Sequence, residues 1–209
     1  MNLFLRLSGV LALCFCLIAY AYYSSSNPAY RHLTKAYSEL ASVGTPDNLT
    51  AALWAFFLPG LLVTVFFIKL PSYIASDNLN RYPFILLIIS GILTTLGTSP
   101  MNYDNFSALS SQLHIVGVMG GGLVFLIGAF TVSKQLKKDP KWASLTKPLL
   151  ILAWTLIISG FFRDSSFPGL AQKVGILAFY LYTSLLSWNA FRLTQLTKTS
   201  RRISDFATL

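Results

Sequence analysis

The chain predicts an all-α, polytopic membrane bundle with six transmembrane helices, and three observations carry that prediction. Hydrophobic residues make up 54% of the 209 positions and charged residues 11%, whereas soluble domains carry about 25% charged residues. Mean hydropathy is +0.60. The apolar residues gather into six runs, at 3–23, 51–70, 82–97, 113–133, 148–162 and 170–191. A helix needs about 20 such residues to cross the ~30 Å hydrocarbon core. The third and fifth runs are short. The connections are too brief for a separate soluble unit, so residues 1–209 read as one integral membrane bundle.

The first run carries Arg6 and ends in Ala19-x-Ala21, the pattern of a cleavable signal peptide. We read it as a retained helix, because cleavage would leave a five-span bundle. Cys14 and Cys16 lie two apart on it and face different ways, so they neither bridge nor chelate together. After it, "YYSSSNP" offers Asn27 as an N-cap and Pro28 as a first helical residue. Tyr30, Leu33, Tyr37, Leu40 and Ala41 then recur at three and four residues, the period of a short amphipathic helix. That helix is too polar to span. It is expected to lie in the first outer loop as a lid over the bundle's mouth, ending at Gly44, with Thr45 and Pro46 starting the second span.

Within the second run, Pro59–Gly60 predicts a kink, because proline removes a backbone hydrogen bond. In the fourth run, Gly117 and Gly121 form a small-xxx-small face suited to close helix contact. "LIISG" occurs twice, at Leu87–Gly91 and Leu156–Gly160, and carries no function by itself. The tail "TKTSRRISDF" reads as a solvated juxtamembrane segment rather than an RNA-binding arm.

Charge sets the orientation. With the N-terminus inside, the inner segments hold Arg6, Lys69, Arg81, Lys134, Lys137, Lys138, Lys141, Lys147, Arg192, Lys198, Arg201 and Arg202, 12 of the 16 basic residues. Lysine and arginine asymmetry of this kind places both termini in the cytoplasm, and the protein in the cell (inner) membrane. The net charge of +9 is thus an attraction to anionic membrane lipids, not a nucleic-acid footprint.

The outer side holds few ionisable groups: Arg31, Lys35, Glu39, Asp47, Asp104, Arg163, Asp164 and Lys173, with His32 and His114. His114 opens the fourth run, and an ionisable group near membrane depth is a functional-site hypothesis by default. Its expected partner is Glu39 or Asp104, brought over it by the lid. Glu39 also follows Lys35 at i+4 and has that simpler partner. Two histidines and two carboxylates suit zinc, but no HExxH spacing supports a site, so no metal and no cofactor are expected. Ser38 or Ser107 with His114 and Asp104 would make a Ser/His/acid set, without a Gly-x-Ser-x-Gly elbow behind it. "GGG" at Gly120–Gly122 lies inside a span and is no phosphate loop.

Three segments, "SELASVGTPDN", "SPMNYDNFSALSSQLH" and "GLAQKVG", occur in that order before the second span, before the fourth and at the start of the sixth. With them the chain resembles the bacterial and archaeal membrane family called domain of unknown function 998, over most of its length. The third segment more usually shows arginine where this chain has Lys173. The resemblance implies a six-helix membrane protein, with recurring polar positions at Ser38, Glu39, Asp104, His114 and Lys173, and it implies no activity.

The expected function is therefore an outward-facing polar pocket that binds or transports a lipid headgroup or small solute. Its residues would be Ser38, Glu39, Asp104, His114, Arg163 and Lys173, with Lys173 or Arg163 taking an anion and Glu39 and His114 linking binding to protons. Two alternatives stand beside it. One is a membrane-embedded lipid hydrolase with His114 as base. The other is a non-catalytic accessory subunit that docks a partner through the lid.

Overall fold

The computed structural model describes residues 3–74 and 79–207, with side chains up to Leu196. The basic tail's side chains therefore lie outside the described residues. Six helices follow one another: α1 (Leu3–Ser25), α2 (Asn48–Tyr73), α3 (Tyr82–Leu96), α4 (Leu109–Leu136), α5 (Ala143–Phe161) and α6 (Pro168–Ala207). Five are long and apolar enough to cross a membrane, and α3 is a shorter apolar helix. The chain is a multi-pass membrane protein.

Each helix packs on its chain neighbours, and α6 returns to α1, so the six close into a ring. The lid, residues 26–47, covers one end. At the opposite end the Arg6 guanidinium donates to the Ala190 carbonyl at 2.8 Å and lies 4.6 Å over the Tyr73 ring.

Glycine sets how closely the middle helices approach. A Cβ on Gly60 of α2 would strike Thr95 of α3, and one on Gly91 of α3 would strike Thr64 of α2. Both threonines return their hydroxyls to their own helix, Thr95 to Gly91 and Thr64 to Gly60, so no polar group is stranded by this contact. Gly117 of α4 meets the backbone of Gly97, and Gly121 rests on Leu93. The small-residue face of α4 is thus an internal contact with α3.

Proline in α2 acts through register. A π turn at Leu53–Phe57 precedes Pro59, and the added residue shifts the hydrogen-bond ladder just before the bond that proline cannot make. A second π turn, Val116–Gly120, follows His114 in α4.

The lid departs from its expected form. Residues 28–36 hold turns and irregular backbone, and the only helical piece of the lid is a 3-10 segment at Tyr37–Ala41. The reason is competition for carbonyls. Lys173 and the Tyr30 hydroxyl take the carbonyls of His32, Lys35 and Ala36 that a regular helix would have used itself. The apolar period still faces inward at Tyr30, Tyr37, Leu40 and Ala41, while Leu33 is half-exposed. Asn27 accepts from the Ala29 amide and so caps a turn. Thr45 donates back to the Glu39 carbonyl, leaving Asp47, at φ 57°, to precede α2.

Candidate functional site

The lid is joined to α6 by a polar seam. Gly169 has no room for a Cβ against the Lys35 backbone, so only glycine lets the lid come this close. The Leu170 amide donates to the Leu33 carbonyl at 3.0 Å. One turn further, the Lys173 ammonium donates to the carbonyls of His32 and Lys35, both at 2.7 Å, and of Gly169 at 3.2 Å. It also lies 5.0 Å and 5.8 Å from the ring centres of Tyr30 and Tyr20. Three acceptors and two aromatic faces occupy this cation fully. Gln172 completes the seam, accepting from the Ser38 amide and donating to its hydroxyl, each at 3.3 Å. Burial raises the Tyr30 and Tyr37 phenols above their ordinary range, so both stay neutral donors to the backbone.

Glu39 belongs to the same seam. One carboxylate oxygen accepts from the Ala36 amide at 2.7 Å, holding the start of the 3-10 segment. The other pairs with Lys35 at 3.1 Å. The Lys35 and Glu39 side chains are 46% and 23% exposed, so water screens the pair and it adds little to stability.

His114 is buried at 5% exposure and donates from Nδ1 to the Ser99 carbonyl at 2.9 Å; a carbonyl can only accept, which fixes the proton on Nδ1. Its ring meets Phe56 edge to face. Three residues earlier, Ser111 accepts from the Asn102 amide and donates to the carbonyls of Asn102 and Asn105. His114 and Ser111 together fold the connection between α3 and α4 onto the head of α4. The lid then bonds to that connection, Val43 amide to Met101 carbonyl, at 2.9 Å.

Of the six residues expected to converge, the structure joins Ser38, Glu39 and Lys173 in the seam. It puts His114 in a separate strap, with no hydrogen bond to Glu39 or Asp104. Asp104 lies in an exposed turn. Arg163 lies at the mouth of a cavity, near enough for its charge to act on both His114 and Tyr103.

That cavity, of about 460 Å³, lies between α4 and α5, with α6 behind it and Tyr37 of the lid above. Both π turns feed its wall, through Phe56 and through Val118 and Met119. Met119, Leu123 and Phe161 line it and are also 56%, 63% and 82% exposed, so it opens sideways between α4 and α5. Gly122 and Gly160 line it too, and a Cβ on either would meet nothing within 4 Å. The lining is apolar apart from a few groups. Thr94 and Ser159 donate to carbonyls of their own helices, and Tyr37 donates to Cys16. Arg163 is the single charged lining residue, and among the described residues no carboxylate lies within ion-pair distance of it. Among the described residues no three His, Cys, Asp or Glu side chains come together as a metal site.

Sequence reasoning passed over Tyr37, Gln172, Gly122 and Gly160. Gln172 sits inside "GLAQKVG" and Gly122 inside "GGG", both visible stretches. Nothing in the sequence says that the face opposite Gly122 is empty, because that depends on how α5 leans.

The family described as "protein of unknown function (DUF998)" matches residues 9–189, and the chain belongs to it. No curated protein and no solved structure matches.

Proposed function

We propose that this member of the family is a six-span protein of the cell membrane, both termini cytoplasmic, that binds or transports an amphiphile with an anionic headgroup. The apolar tail occupies the α4–α5 cavity, and the headgroup meets Arg163 beneath the lid. The observation that carries this reading is the pairing of an apolar cavity with one guanidinium at its mouth that has no carboxylate partner among the described residues. Its volume of about 460 Å³ falls within the ~300–1,000 Å³ of small-molecule sites. Because lining residues are exposed between α4 and α5, a tail has a route in from the bilayer. Lys173 is spent on lid carbonyls, so the anion falls to Arg163. The hydrolase reading asks for a nucleophile beside His114, whose Nδ1 proton goes to Ser99. The contacts of α3 with both α2 and α4 support counting it as the sixth span.

The test uses thermal stabilisation of the purified full chain by dodecyl phosphate. Wild type is expected to be stabilised. Arg163→Gln should weaken the response by roughly 10- to 100-fold in concentration, the range of a charged hydrogen bond. Gly122→Leu should abolish it by filling open space without harming the fold. Binding that survives both changes would remove the cavity from the function. Orientation is tested separately, with the native cysteines replaced by serine. A cysteine at Ser107 should react with an impermeant reagent outside intact cells, and one at Lys138 should not.

A further inference from the structure

Four tyrosines are buried: Tyr30, Tyr37, Tyr180 and Tyr182. Three of them have the backbone acceptor that a buried phenol normally finds. Tyr30 reaches the carbonyls of Lys35 and Ala36, Tyr37 that of Cys16, and Tyr182 that of Ala129. Tyr180, 3% exposed, is the exception: it lines the cavity, and its hydroxyl has no hydrogen-bond partner among the described residues. The nearby acceptors are in use, since the Cys16 carbonyl and thiol both engage Tyr37. The Tyr180 hydroxyl is not among the fully enclosed unpaired polar atoms, so it opens onto the cavity, where an acceptor on a bound molecule would gain a bond that no protein group supplies.

Tyr180 lies twelve residues past Pro168, the first residue of α6, so its Cα is roughly 18 Å down the helix. A helical side chain leans back toward the N-terminus, here toward the lid, which brings the hydroxyl up toward the mouth. The geometry points to Tyr180 as a specificity-determining donor that selects amphiphiles carrying a neutral oxygen, such as an ester carbonyl, below the anionic headgroup. This rests on the cavity reading above: Arg163 takes the charge, and Tyr180 distinguishes an acylated glycerol phosphate from a plain alkyl phosphate.

Affinities of the purified full chain for dodecyl phosphate and for lauroyl lysophosphatidate, in wild type and Tyr180→Phe, separate the two ideas. We expect Tyr180→Phe to weaken lysophosphatidate by about 3- to 10-fold, the range of one neutral hydrogen bond, and to leave dodecyl phosphate unchanged. If both probes bind and the substitution shifts them equally or not at all, the Tyr180 assignment is overturned while the cavity stands. If wild type binds neither probe, the cavity reading falls and takes this one with it. A second measurement needs no ligand. Tyr180→Phe should leave the melting temperature unchanged or raise it, whereas Tyr182→Phe, which loses the Ala129 bond, should lower it. An equal fall in both would mean that the Tyr180 hydroxyl is satisfied within the protein, and would also overturn the assignment.

Discussion

The seam between lid and α6 and the cavity between α4 and α5 lie side by side, and they treat polar groups in opposite ways. In the seam the polar groups are dense and spent: Lys173 has three carbonyls, Glu39 an amide and an ammonium, Gln172 both sides of Ser38. In the cavity the polar groups are few, and among the described residues Arg163 has no carboxylate partner and the Tyr180 hydroxyl no hydrogen bond. Charge density in an apolar chain therefore marked a joint. The candidate for binding lies next to it, where a donor remains unused.

The comparison breaks first at Gly169. Valine there would drive a side chain into the Lys35 backbone, which cannot yield as a flexible side chain would. We expect a loss of about 3 kcal/mol, read as a fall of roughly 6–12 °C in melting temperature. A protein that tolerates valine would have a looser seam than described.

Next is Lys173. Methionine keeps the stem and removes the donors, leaving the His32 and Lys35 carbonyls without this partner, at a cost of about 2–3 kcal/mol. Faster hydrogen exchange at the Leu170 amide, which bonds to Leu33, should report the lid loosening. Lys173→Arg should stay within about 1 kcal/mol of wild type, because a guanidinium still offers several donors. If dodecyl phosphate protects Lys173→Met no less than wild type, seam and cavity are separable, as the comparison requires.

His114→Ala removes the strap to Ser99 and should cost about 1–2 kcal/mol while leaving dodecyl phosphate affinity intact. A large loss of affinity with unchanged stability would move His114 from the strap into the binding site. The smallest effect on stability belongs to Arg163. With no ion pair or hydrogen bond to its guanidinium among the described residues, Arg163→Gln should change unfolding free energy by less than about 0.5 kcal/mol. A larger fall would place Arg163 in the joint and dissolve the contrast.

Much of this was legible in the residues. The apolar runs marked the helices, since twenty apolar residues have few other stable arrangements. Gly117 and Gly121 marked a close helix contact, and α3 supplies it. "SELASVGTPDN" and "GLAQKVG" attracted notice separately, and they are two halves of one joint: Ser38 meets Gln172, and the lid backbone meets Gly169 and Lys173. Their meeting could not be read, because Asn48 and Gly169 are 121 positions apart and the bonds run largely from side chain to backbone carbonyl. A carbonyl is present at every residue and leaves no mark in a sequence. The same blindness made the lid look like a regular helix, since the period of Tyr30, Tyr37, Leu40 and Ala41 reports burial and says nothing of who takes the carbonyls.

By itself, then, the sequence determined the helices, their number of apolar runs, the polar lid connection and the glycines that permit close packing. These follow from local composition and spacing, which act within a few turns of chain. Only the tertiary structure decided which polar groups are satisfied. Lys173 looked like an anion site until three carbonyls filled it, and Tyr180 looked like one more aromatic residue in an apolar run, although its hydroxyl makes no hydrogen bond among the described residues. Whether a donor is spent depends on what the other helices bring to it, and that is a property of the closed ring.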